Sequence, residues 1–240
     1  MAIENILERY LRALLEGDRP ACRAVIEEAL QGGIPANNVY MDVIWPIMTE
    51  IDKLYRNDVI DSAQESLATR INRTIVDQLQ NKLPRKAKTN NKIVVCSETT
   101  EQGELGAQVI VDLFESNGWE VRFLGGSVNM DDVIAFTQNY KPDILLIYGI
   151  NAKRAPEARK LIDTIRTVNG LPDMRIMLSG GIFDRAEGLW EEIGADLYAA
   201  NASEAVRLAS ADRENIPVPK RVINCRKRQQ KSSDKEPVEA

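Results

Sequence analysis

Residues 92–124 read KIVVCSETTEQGELGAQVIVDLFESNGWEVRFL. Lys92–Cys96 is a short, unbroken apolar run, the pattern of a strand covered on both faces. Leu105, Val109, Ile110, Leu113 and Phe114 then recur at helical spacing. Asn117-Gly118 supplies a helix end. Val121–Leu124 is a second apolar strand. A strand, a helix and another strand in so short a stretch form a parallel crossover unit.

The same alternation continues toward the C-terminus. A helix is predicted over Asp131–Asn139 and a strand over Asp143–Tyr148 (DILLIY). Helix Ala155–Val168, strand Arg175–Leu178, helix Asp184–Ile193, strand Asp196–Tyr198 and helix Ser203–Ala209 follow. The fold class is therefore α/β: a five-stranded parallel sheet of the flavodoxin-like kind over residues 92–212, with strand order 2-1-3-4-5. Ligands of such sheets bind beyond the carboxyl ends of the strands.

N-terminal to this unit the periodicity is helical throughout. Ile3, Ile6, Leu7, Tyr10, Leu11, Leu14 and Leu15 form one stripe that stops at Gly17. Asp18 and Pro20 start a second helix, which ends at Gly32-Gly33. A third runs from Pro35 to Leu54, with Pro46 inside it as an expected kink. A fourth spans Ser62–Leu83. Residues 1–83 are thus a four-helix bundle. Residues 84–91 are a polar, basic linker. Residues 213–240 are poor in large apolar side chains and are expected to be disordered. From Lys220 onward this tail has seven Lys/Arg against three Asp/Glu.

Composition narrows the chemistry. The 240 residues are 44% hydrophobic and 28% charged, with a net charge of −5. That balance disfavours direct nucleic-acid binding by the folded body. No apolar run has the length of about 18 residues that a membrane span needs, so a cytoplasmic protein is expected. Cys22, Cys96 and Cys225 are far apart and form no metal or disulfide pattern. The chain contains no histidine. That removes the commonest general base and the commonest metal ligand. No catalytic residue and no metal site is assigned.

Three loops gather at the ligand-binding edge: 96–106, 148–156 and 179–184. Their sequences resemble those of the cobalamin-binding domain family, which includes methionine synthase, corrinoid methyl carriers and light-sensing cobalamin repressors. The family's Asp-x-His-x-x-Gly motif falls on Glu101, Gln102, Gly103, Glu104, Leu105 and Gly106. GAQVIVDLFESNGWEVRFLGG (106–126) matches the helix and strand that follow. The family's Ser-x-Leu falls on Tyr148, Gly149 and Ile150. Its Gly-Gly falls on Gly180-Gly181, preceded by Ser179.

The bundle stretches LLEGDRPACRAVIEEAL (14–30) and VYMDVIWPIMTEIDKLYRNDVIDSAQESLAT (39–69) resemble the helical half of the light sensors and photosynthesis antirepressors. There a Trp and a Glu-His pair cap the upper cobalamin face; the equivalent positions are Tyr55, Glu65 and Ser66. The resemblance thus implies a ligand site of Tyr55, Glu65, Ser66, Glu101, Gly103, Glu104, Gly106, Tyr148, Ile150, Ser179, Gly180 and Gly181. Three positions depart from it. Gly103 replaces the lower-ligand His, Ser66 the capping His, and Tyr148 the small Ser beside the channel for the nucleotide tail.

These departures imply cobalamin bound without His, or another tetrapyrrole. The function expected from the bundle's resemblance is a non-enzymatic regulatory or sensory module. It would act by docking another regulatory protein, with a second copy of this chain as one candidate partner. The alternative is a corrinoid carrier subunit of a methyltransferase system.

Overall fold

The computed structural model describes residues 3–149, 151–168 and 170–211. The expectations placed on Ile150 and on the tail 213–240 lie outside these residues.

The helical half comprises α1 (Ile3–Glu16), α2 (Arg19–Gln31), α3 (Ala36–Val39), α4 (Trp45–Arg56) and α5 (Ser62–Gln80). Side-chain caps fix two of the starts. Asp18 accepts a hydrogen bond from the Ala21 amide at 2.9 Å, and Asp61 and Gln64 cap each other's backbone at the head of α5.

The kink expected at Pro46 takes another form. Tyr40–Ile44 is a π-turn joining α3 to α4, and the Trp45 amide reaches back to the Tyr40 carbonyl. A proline has no N–H, and its ring crowds the carbonyl four residues earlier. A wider turn placed just before Pro46 absorbs both problems without breaking the run of helix.

The second half comprises β1 (Lys92–Ser97), α6 (Glu101–Ser116), β2 (Glu120–Gly125), α7 (Met130–Tyr140), β3 (Ile144–Tyr148), α8 (Ala155–Val168), β4 (Arg175–Ser179), α9 (Gly181–Arg185), α10 (Leu189–Ile193), β5 (Leu197–Ala199) and α11 (Ala202–Ser210). All strands are parallel, in the order β2-β1-β3-β4-β5 expected from the alternation. The single helix expected over 184–193 is instead two, α9 and α10. Gly188 separates them with a φ of +76°, outside the right-handed helical region.

Strand alternation divides the core between two faces. Ile93, Val95, Ile144, Leu146 and Tyr148 point to the side covered by α6, α11 and the bundle. Val94, Cys96, Leu145 and Ile147 point to the side covered by α7, α8, α9 and α10. The bundle therefore has no separate core; its apolar interior is continuous with one face of the sheet.

A buried polar joint fixes how the halves meet. Asp112, on α6, is 1% exposed. Its carboxyl accepts from Gln108 at 2.6 Å and from Gln80 of α5 at 3.1 Å. The Tyr40 hydroxyl lies 2.8 Å from Asp112 and 3.0 Å from the Val76 carbonyl. That hydroxyl has one proton for two acceptors. With Asp112 ionised the Tyr40 proton goes to the carboxylate; once Asp112 is protonated, its carboxyl can donate to the Tyr40 oxygen and leave the Tyr40 proton to Val76. Burial pushes the Asp112 carboxyl up to about 6, against the hydrogen bonds from Tyr40 and Gln108 that pull it down.

This joint should make stability depend on pH. Asp112 has a folded value above its unfolded value of 3.8, so its contribution is complete below about pH 4 and is lost as pH rises through about 6. In urea titrations at a series of pH values, wild type should lose on the order of 2 kcal/mol more than Asp112→Asn between pH 4 and 7. Parallel pH profiles for the two proteins would show that Asp112 does not carry this linkage.

Candidate functional site

The carboxyl ends of the strands form one row. Ser97, Tyr148, Ser179 and Ala199 are in register across β1, β3, β4 and β5. The Ser179 hydroxyl donates to the Ala199 carbonyl at 2.8 Å, tying β4 to β5. It is fully buried and faces no open space. Gly180 follows with a φ of +105° and passes so close to Gly149 that a Cβ would stand 2.2 Å from the Gly149 carbonyl oxygen. Only glycine serves there.

The loop expected after β1 is largely helix. Thr100 caps α6 by accepting from the Gly103 amide at 3.1 Å, so the motif Glu101–Gly106 winds into the first turns. A Cβ at Gly103 would meet Thr100 Oγ1 at 2.8 Å and Glu98 Cγ at 3.0 Å. A larger residue at this position must displace the cap.

Tyr148 occupies the space between β3 and α6. It is 6% exposed, and a Cβ at Gly106 would stand 2.2 Å from its hydroxyl oxygen. The phenol thus lies directly on the bare backbone of α6. On the bundle side Trp45 meets the Tyr148 ring edge-on, at 6.4 Å between centroids and 84°. Burial raises the Tyr148 pKa well above the ordinary phenol value, so the group stays neutral.

The three loop glutamates do not converge. Glu98 is buried and accepts from the Asn151 amide at 2.8 Å, linking the loops after β1 and β3. Glu101 pairs with Arg70 at 3.3 Å, and Glu104 with Arg73 at 3.5 Å, both across to α5. Asp52 of α4 accepts from Arg185 of α9 at 3.1 Å and from Arg56 at 2.8 Å. The Gln102 side chain donates to the Met48 carbonyl at 3.3 Å. The bundle is therefore seated on the sheet edge through α4 and α5.

Of the remaining expected residues, Glu65 is half-buried on α5, and burial raises its pKa. Ser66 is beside it on α5, whereas Tyr55 is 42% exposed at the end of α4. Burial pushes the Cys96 thiol up to about 12, which disfavours a thiolate at the edge. Trp45, Asp52, Arg185, Arg70 and Arg73 carry much of the contact between the halves and had no local signal. Asp52 and Arg185, for example, are 133 residues apart.

The contact of Tyr148 with Gly106 has a direct test. In wild type, Gly106→Ala should destabilise by about 1–3 kcal/mol, because the methyl overlaps the phenol. In a Tyr148→Ser background the same change should stabilise by up to about 1 kcal/mol, the ordinary helix gain of Ala over Gly. Urea denaturation of the four proteins measures both. Equal effects of Gly106→Ala in the two backgrounds would show that the residues do not touch.

Two family models, each described as a B12 binding domain, match the chain, one over residues 6–80 and the other over 91–207. Dimethylamine corrinoid protein 1 of Methanosarcina acetivorans is 22% identical over 212 residues, covering 87% of this chain and 98% of the relative. Monomethylamine corrinoid protein 2 of the same organism is also 22% identical, over 215 residues, with the same coverages. The monomethylamine corrinoid protein of Methanosarcina barkeri superposes with a TM-score of 0.76 at 20% identity, covering 87% of this chain and 98% of that one.

These relatives correct the functional expectation. They are corrinoid proteins named for methylamines, not light-sensing repressors or antirepressors, so the sensory module docking a second regulator is withdrawn. The bundle stretches that suggested it belong to an architecture the corrinoid proteins share. With both halves matched in order, this chain belongs to the B12-binding-domain family, in the form that joins a helical domain to a flavodoxin-like one.

Proposed function

We propose that this chain is a corrinoid protein that serves a methyltransferase partner and holds its corrinoid without a protein imidazole. The observation that carries the reading is the end-to-end match to methylamine corrinoid proteins, bundle and sheet together. Among the described residues no nucleophile–base pair lies at the sheet edge, which suits a carrier better than an independent catalyst. The substrates of the relatives are not transferred to this chain.

The residues at the edge do not fit a corrinoid held by a lower imidazole with its tail between β3 and α6. No histidine exists, Gly103 is packed under Thr100 and Glu98, and the phenol of Tyr148 fills the space over Gly106. A bound corrinoid would supply a cobalt centre able to exchange a methyl group. The chain would hold it from the edge itself. Glu65, Ser66 and Tyr55 lie on the bundle side, with the backbone of Gly180 and Gly181 on the sheet side. Arg70, Arg73 and Arg185, now paired with acids across the seam, would be the groups to rearrange.

The test is gel filtration after mixing apo-protein with hydroxocobalamin or with cobinamide, followed by absorbance. Retention of about one corrinoid per chain is expected, together with co-elution of a corrinoid-dependent methyltransferase subunit from the same organism. Failure to retain either corrinoid would overturn the proposal.

A further inference from the structure

The two edge strands of the sheet differ. β5 has three residues, whereas β2 has six and pairs with β1 alone. The Glu120 amide donates to the Asn91 carbonyl at 2.9 Å. Backbone groups of a strand point alternately to its two sides. Glu120 and Arg122 therefore bond toward β1, and Val121 and Phe123 turn their groups outward. Such a row is a template for another strand. Glu120–Phe123 contains no proline, and its register with β1 shifts only beyond Phe123, at Gly125. Charge is present on this edge, but in both signs.

The side chains fall into two sets. Trp119, Val121 and Phe123 belong to the apolar core on the α6 side. Glu120 and Arg122 are exposed on the α7 side. There the Arg122 guanidinium lies 5.0 Å from the centre of the Tyr140 ring and 3.0 Å from the Glu120 carboxylate. Residues 119–123 thus read Trp-Glu-Val-Arg-Phe: aromatic, acid, valine, base, aromatic. This pattern is complementary to its own reverse. In an antiparallel pair of two copies centred on Val121, Glu120 of each stands opposite Arg122 of the other, and Trp119 opposite Phe123. The two Val121 residues exchange both backbone bonds. The flanking acid–base positions are then non-hydrogen-bonded pairs, whose side chains approach more closely. Opposite charges and aromatic pairs facing each other in this way stabilise a sheet. Arg122 now covers the outward Val121 carbonyl at 2.9 Å, and turning to Glu120 of the second copy would free it.

We infer that β2 is a docking edge for a second copy of this chain, joined antiparallel about Val121 into one continuous sheet. The contact is isologous, with its two-fold axis through Val121. The strands of the two copies point in opposite directions, so both ligand edges stay open. This inference does not rest on the proposed function.

Sedimentation equilibrium over a concentration series tests it with four samples: wild type, Glu120→Arg, Arg122→Glu, and an equal mixture of the two variants. Wild type should form dimers. Either reversal places like charges opposite each other on both sides of the axis and should weaken dimerisation about 10-fold or more. The mixture should recover it, because each variant then faces its opposite charge. Both residues are exposed, so neither change disturbs the core. Each reversal also breaks the Glu120–Arg122 pair within the chain, but only a contact between chains makes the two variants prefer each other. Amide hydrogen exchange at Val121 and Phe123 should slow as wild type is concentrated.

A wild type that stays monomeric overturns the inference. So does a dimer that both reversals leave intact, which would place the interface elsewhere. A mixture that associates no better than the single variants overturns it as well. The carrier reading stands or falls independently of these outcomes.

Discussion

The phenol of Tyr148 resting on the backbone of Gly106 sets the character of the whole sheet edge. β3 ends on a large aromatic residue. The ring lies between the strand and α6, and Gly106 leaves room for it there. Once in place it seals that face and offers its edge to Trp45 on the bundle. The edge that would receive a ligand is thus closed on the α6 side and open at the β1–β3 switch point, where a cavity lies.

The seam between bundle and sheet is held by two kinds of interaction. The ion pairs Arg70–Glu101, Arg73–Glu104 and Arg185–Asp52 are partly exposed and contribute little individually. The continuous apolar core beneath them supplies most of the attraction. The Asp112–Tyr40 cluster adds specificity, because a buried carboxyl among three donors tolerates only one arrangement of α5, α6 and the π-turn. The rim can therefore rearrange around a ligand at small cost while the joint below stays fixed.

Much of the fold was legible in the sequence. Five short apolar strands alternating with helical stripes admit few arrangements besides a doubly wound parallel sheet, and strand order followed. Local conflicts were less legible. Pro46 signalled a disturbance but not that a π-turn would absorb it, and Gly188 did not announce two helices in place of one. At the site, the motif alignment brought Gly103, Gly106 and Tyr148 together. It could not show that Thr100 would wind the first loop into helix, or that Glu98 would tie two loops together. The partners of Asp52, Arg70 and Trp45 come from distant parts of the chain and leave no local pattern. The functional expectation failed for a related reason. The regularly spaced apolar residues of the bundle stretches 14–30 and 39–69 build the core, and core patterns report architecture rather than role.

The central claim is that Tyr148 keeps the space over Gly106 closed whether or not a ligand is present. Nuclear Overhauser contacts between the Tyr148 ring protons and the Gly106 α-protons measure this directly. Strong contacts are expected in the free protein, and they should persist when diamagnetic cobalamin is added to saturation. Loss of those contacts on adding cobalamin, with the ring swung away from α6, would contradict it.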